Sequence, residues 1–325
     1  MLILSANDQQ KLIEMPEVID AVSIALEEYS AMRTETPVRT VLNVEKAGGH
    51  AIFMPSVAEN AGSLGMKYVG SFPNNKQIGK AAINGVVLLA DVQTGEPQAL
   101  LEGSYLTVMR TGALSGAATK YLARENSKVL AVIGTGAQAI GQCEAIMAVR
   151  NIEKINLYNR SEKKAYDLAK QLRARFDVEV IVCQDADRAI DGADILVTAT
   201  SSTTPVFSSR LAPGVHVNAI GSYQPTMQEL PTHVVSSADK VVVESAEAAL
   251  EEAGCLYIPI QEGEFTPSRI HSELGFIVSD EAAGRESDEE LTVFKSVGFA
   301  AADIVVAKYF YEKALRENIG QRIMM

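Results

Sequence analysis

Residues 128–141, KVLAVIGTGAQAIG, confine this chain to a small set of folds. Residues 129–133 form a short apolar run rich in β-branched side chains, which predicts a buried strand. Gly134, Gly136 and Ala139 then give G-x-G-x-x-A. The first glycine permits the tight turn, the second lets backbone approach a pyrophosphate, and the small third residue lets helix and strand pack closely. The helix-forming run QAIGQCEAIMAV follows, so free N–H groups at its start would face an anion. The glycines alone fit any tight strand–helix turn. With a strand before them and a helix after, they predict a dinucleotide site.

From that point the pattern alternates between strand and helix. Strands are predicted at 128–133, 153–158, 178–183, 193–199, 215–220 and 239–243, with helical patterns between most of them. Such alternation implies a parallel, doubly wound Rossmann sheet with helices on both faces. The preceding segment reads differently. A helix starts at Met15-Pro16, and Val18, Ile19, Val22, Ala25, Leu26 and Tyr29 recur at helical spacing as a core-facing stripe. Short extended runs follow, the last of them a hairpin turning at Thr94-Gly95-Glu96-Pro97, then a helix over 104–122. This predicts an α+β domain with a mixed or mostly antiparallel sheet. Near the C-terminus, TVFKSVGFAAADIVVAKYFYEKALREN reads as one long amphipathic helix that crosses back to the first domain. The expected domains are 1–118 with 300–325, and 119–299.

The net charge of −12 argues against nucleic acid or an anionic membrane as main partner, while leaving room for a small anionic substrate held by local cations. Three widely spaced cysteines suggest neither a disulfide framework nor a zinc site, and a reducing cytoplasm is expected. The four isolated histidines form no metal-ligand pattern. The start, MLILSANDQQKLI, is too short in its apolar part for a signal peptide, and no apolar run has membrane-spanning length.

The end of the second strand bears on the cofactor. An acid there binds the ribose 2′-hydroxyl of NAD, whereas an arginine favours the 2′-phosphate of NADP. The strand ends here in Asn159, Arg160 and Ser161, without an acid. NADP(H) is therefore the preferred expectation and NAD(H) the other possibility.

Several stretches together resemble the ornithine cyclodeaminase/mu-crystallin family along almost the whole chain: Pro37-Val38-Arg39, Gly65-Met66-Lys67, Thr94-Gly95-Glu96-Pro97, Met109-Arg110-Thr111-Gly112-Ala113, GTGAQA, Asn218-Ala219-Ile220-Gly221, and Thr292 through Gly298. The resemblance implies a homodimer whose first domain supplies dimer contacts and the substrate site. It also implies that Arg39, Lys67 and Arg110 hold the substrate α-carboxylate, with Lys67 also placed for proton transfer. The implied cofactor-binding residues are Thr111, Gly134, Gly136, Ala137, Gln138, Ala139, Asn159, Arg160, Ser161, Thr200 and Ser296. One departure discriminates within the family. Ornithine cyclodeaminases carry an aspartate in the loop where this chain has Gly221-Ser222-Tyr223, and Tyr223 takes its place. A phenol does not supply the charge or basicity that an ammonium partner needs. The pattern is thus closest to the ketimine reductase branch, implying reduction of Δ1-pyrroline-2-carboxylate to proline or of its piperideine homologue to pipecolate. An NAD-dependent ornithine cyclodeaminase, an alanine dehydrogenase-like enzyme and a non-catalytic NADPH-binding protein stand as alternatives.

Overall fold

Met54, Ser56 and Ala58 are buried at alternate positions of one extended run, the period of a strand with one face covered. That strand is central to the first of two units in a computed structural model that describes residues 1–324. The first unit comprises Met1–Arg110 and the segment from Phe299 onward; the second is Thr111–Gly298.

The first unit contains β1 (Leu2–Leu4), α1 (Ala6–Leu12), α2 (Met15–Ser30), β2 (Thr34–Glu35), β3 (Thr40–Val44), β4 (Gly49–Ala58), β5 (Ser63–Ser71), β6 (Ile83–Ala90), β7 (Pro97–Glu102) and the start of α3 (Gly103–Leu122). Its sheet runs in the order Gln321–Arg322, β1, β7, β6, β5, β4, β2, with β3 also on β4. Neighbours from β3 to β7 are antiparallel and β1 lies parallel to β7, so the sheet is mixed. The β6–β7 hairpin turns where the sequence predicts. Asp91 Oδ1 accepts from the backbone N–H groups of Gln93 and Thr94, at 3.0 and 2.8 Å, and Gly95 takes φ +73°. The predicted α2 stripe faces inward, with Val18, Ile19, Val22, Ala25 and Leu26 all buried. The C-terminal helix Ala300–Glu317 packs on α2 and across β4, β5 and β6.

The second unit is an eight-stranded parallel sheet: β8 (Val129–Ile133), β9 (Lys154–Tyr158), β10 (Glu179–Val182), β11 (Ile195–Thr198), β12 (His216–Ala219), β13 (Lys240–Val243), β14 (Ile270–Glu273) and β15 (Thr292–Lys295). Between them, α4 (Ala139–Val149) follows β8 and α5 (Glu162–Arg175) follows β9. The order β10-β9-β8-β11-β12-β15-β13-β14 places the switch point between β8 and β11. On β8, Leu130 and Val132 join the core under α4 and α5, while Ala131 and Ile133 join the core on the opposite face.

Two of these strands depart from the sequence-based expectation. The sequence predicts Thr292–Lys295 as the start of the long helix, but it is a strand inserted between β12 and β13 and buried at all four positions. Its β-branched and aromatic residues suit that position. Gly298, at φ +83°, then turns the chain, and the helix begins only at Ala300. β14 carries the polar sequence IHSE on the sheet edge, where little apolar patterning is needed. Among the described residues no helix is long and apolar enough to cross a membrane.

Candidate active site

The glycine turn does what its spacing demands. Gly134 has φ +97°, and a Cβ there would lie 2.5 Å from the Ala199 carbonyl oxygen, so only glycine fits. A Cβ on Gly136 would meet nothing within 4 Å, and backbone is open to the cavity at that point. This cavity has a volume of about 470 Å³. Gly134, Gly136, Asn159, Arg160, Ser161 and Thr200 all line it, so the structure brings together six of the expected cofactor residues. Asn159 ties two loops together: its Oδ1 accepts from the Thr135 N–H at 3.2 Å, and its Nδ2 donates to the Ser161 carbonyl at 3.0 Å. Ala137 lines a separate shallow depression beyond Gly136. Gln138 precedes α4 with its amide oxygen buried and without a hydrogen-bond partner among the described residues, and Ala139 is packed in the core. Thr111 and Ser296 are buried, the latter donating its N–H to the Ala219 carbonyl at 3.2 Å. The open backbone at Gly136, at the start of a helix, fits a diphosphate-bearing cofactor.

A residue without a sequence signal shapes the rim of this cavity. Glu229 is fully buried, and its carboxylate accepts from the N–H of Thr200 at 2.6 Å, of Gly221 at 2.7 Å and of Ser222 at 3.0 Å. It therefore fixes the loops after β11 and β12 together. Burial pushes its carboxyl above the usual range, opposed by Lys295 and by the hydrogen bonds from Thr200 and Gly221. Tyr223, the residue in place of an acid, is 46% exposed on the loop after β12.

The first unit holds a different kind of site. Lys67 projects from β5 and is almost wholly buried. Its Nζ lies 2.7 Å from Asp303 Oδ2, and Arg110 Nε donates to Asp303 Oδ1 at 3.0 Å. Asp303 itself is fully buried on the C-terminal helix. Burial lowers the Lys67 ammonium to about 8; Asp303 opposes this, while Arg110 and Arg39 push further down. Arg39, half-buried just before β3, thus belongs to the same electrostatic cluster. Two cations, Lys67 and Arg110, share this one buried carboxylate. Arg110 Nη1 is buried with no hydrogen-bond partner among the described residues. Such a set is suited to an anionic substrate carboxylate. Asp303 is easily overlooked in the sequence, although a lone acid in the apolar run FAAADIVV is a signal in itself. Among the described residues no group of three or more metal-ligating side chains converges.

The model of the ornithine cyclodeaminase/mu-crystallin family matches residues 1–318. The chain is 58% identical to a Δ1-pyrroline-2-carboxylate reductase of Bacillus cereus over 323 residues, covering 99% of each. Among solved structures it resembles Thermococcus litoralis Δ1-pyrroline-2-carboxylate reductase in complex with NADH and L-proline, at 40% identity and TM-score 0.94, covering 99% of this chain and 100% of that one. An archaeal alanine dehydrogenase dimer with bound NAD matches at 36% identity and TM-score 0.91, covering 100% of this chain and 99% of that one.

The complex with NADH overturns the expectation of an NADP(H) preference. The physical reason lies at the end of β9. Arg160 is a single exposed guanidinium, and the Asn159 amide is engaged by its own loops. No hydrogen bond or ion pair orients Arg160 among the described residues, so its charge, although beside Lys164, is not preorganised as the fork that would select a 2′-phosphate. By sequence, architecture and the composition of both sites, the chain belongs to the ornithine cyclodeaminase/mu-crystallin family.

Proposed function

We propose that this chain reduces Δ1-pyrroline-2-carboxylate to L-proline with NAD(H) as the hydride carrier. The observation that carries the reading is the buried Lys67–Asp303–Arg110 cluster, in a chain 58% identical to a reductase of that substrate. Arg39, Lys67 and Arg110 hold the carboxylate, with Arg110 offering its unpartnered Nη1. Lys67 is also the proton source for the ring nitrogen, since an ammonium near 8 is charged at neutral pH yet yields its proton readily. Gly134, Gly136, Ala137, Gln138 and Ala139 seat the diphosphate at the start of α4. Asn159, Arg160 and Ser161 border the adenosine end, and Thr111, Thr200 and Ser296 complete the dinucleotide site. When bound, the nicotinamide supplies a hydride to C2 of the imine. The protein's own contribution is to fix the carboxylate, which makes that transfer effectively intramolecular. With Tyr223 where cyclodeaminases carry an acid, nothing there serves the side-chain amine of ornithine.

The working form is a homodimer on this reading. Val38, Leu42, Ile78 and Ile83 leave large apolar side chains more than half exposed on the first unit, and a second copy would cover such side chains. The related archaeal structure is a dimer. Three free cysteines suit a reducing cytoplasm.

One assay tests the function. Purified protein receives NADH with Δ1-pyrroline-2-carboxylate, and separately NAD with ornithine. Oxidation of NADH with matching L-proline formation is expected in the first and no ammonia in the second. Ammonia and proline from ornithine, or NADH binding with no turnover of the imine, would sink the reading.

A further inference from the structure

We propose that Asp303 is a positioning residue of the reduction: it holds the Lys67 ammonium as proton carrier toward the ring nitrogen and turns the Nη edge of Arg110 to the substrate carboxylate. The inference rests on the reductase reading above.

The geometry divides the aspartate between two cations. Oδ2 takes Lys67 Nζ at 2.7 Å and Oδ1 takes Arg110 Nε at 3.0 Å. A lysine ammonium has three donors, so a close ion pair with Asp303 anchors its position and leaves donors for substrate. Contact through Nε leaves the far edge of the guanidinium unspent by Asp303, and Nη1 on that edge is buried and unpartnered among the described residues. A residue that merely neutralised a buried lysine would need one cation, whereas this one orients two.

The packing of the helix on the sheet brings a short acid within reach. Ala300, Ala301 and Ala302 are buried small residues that let the C-terminal helix lie close to the sheet. Beneath it, a Cβ on Gly65 would come within 3.1 Å of Ile304 Cγ2 and 2.2 Å of the Leu88 carbonyl oxygen. Gly65 is two residues before Lys67 on the same strand. The helix is thus near enough for an aspartate to reach the lysine of β5 directly.

In the proton step an N–H bond of Lys67 breaks as an N–H bond forms on the ring nitrogen. The C=N double bond becomes a single bond as C2 receives the hydride. Lys67 is left neutral and regains its proton from water. The charged groups that set its readiness are Asp303 from the C-terminal helix, Arg110 from α3 and Arg39 from the segment before β3. Asp303 alone of these strengthens the hold on the proton.

The test is the pH profile of kcat/KM for Δ1-pyrroline-2-carboxylate with saturating NADH. In the wild type the profile should fall above about 8. Asp303→Asn should move that fall about 1–3 pH units lower, since a paired opposite charge shifts a group by that much. Its NADH affinity, read by fluorescence titration, should stay within about twofold. Asp303→Glu keeps the charge and should return the fall to the wild-type pH, with kcat lowered by up to about a hundredfold through misplacement. A folded Asp303→Asn enzyme with the wild-type profile would overturn the proposal. Should that variant not fold, Asp303→Glu decides alone: wild-type kcat, or a displaced fall, overturns it. A wild-type protein that binds NADH yet reduces no imine would instead remove the reductase reading, so the two failures are distinct.

Discussion

On the proposed reading, the two units differ in how they are built to bind. In the second, the cavity at the glycine turn is lined largely by backbone and small polar side chains, and its key carboxylate, Glu229, spends itself on N–H groups of the protein. In the first, the cluster is made of charged side chains taken out of water and set against each other. Backbone recognition suits a large cofactor whose diphosphate must be seated without regard to the substrate. Buried charge suits a small substrate that offers little more than one carboxylate and one nitrogen. The contrast teaches where each site is fragile: the first to loss of a single charge, the second to loss of loop geometry.

The largest effect should come from breaking the charge cluster. Arg110→Ala removes the donor with a free buried nitrogen and leaves Asp303 with Lys67 alone. Truncating one member of a buried, hydrogen-bonded charge set costs about 2–4 kcal/mol, roughly 30- to 1,000-fold. That loss should fall on KM for Δ1-pyrroline-2-carboxylate, with the Kd for NADH nearly unchanged. Loss of NADH binding in its place would mean that the two units do not divide the labour as described.

A smaller effect is expected on the backbone side. Glu229→Gln keeps the shape but offers one carbonyl oxygen and an NH2 group to three backbone donors, so at least one N–H faces another donor. An unsatisfied buried group costs about 1–3 kcal/mol. The melting temperature should drop and NADH affinity should weaken by roughly tenfold, while KM for the imine at saturating NADH stays near wild type. Equal losses in both substrates would erase the distinction between the units.

The same contrast explains what is legible in the amino-acid sequence. The glycine turn is contiguous, so strand, turn and helix lie within residues 129–149 and spacing alone exposes them. The cation cluster draws on positions 39, 67, 110 and 303, far apart in the chain, and no periodicity links them. Arg39, Lys67 and Arg110 are reachable only through family resemblance. Asp303 escapes because its helix reads as amphipathic with or without it. Thr292–Lys295 reads as helix because only four residues separate it from Ala300, and the apolar run looks continuous across that turn. Glu229 carries no signal at all, since its partners are backbone groups made available only by the fold.

The smallest expected effect concerns Arg160. It is exposed at the cavity edge beside Ser161 and Lys164, and a guanidinium laid on an adenine ring contributes about 0.5–1 kcal/mol at such a site. Arg160→Ala should therefore weaken NADH binding only about two- to fivefold. KM for the imine and the pH profile set by Lys67 should not change, because Arg160 lies in the other unit from the charge cluster. Unaltered NADH affinity would mark Arg160 as a solvated side chain. A loss as large as that of Glu229→Gln would show that the cofactor site depends on side-chain charge after all, and would close the gap between the two modes of binding.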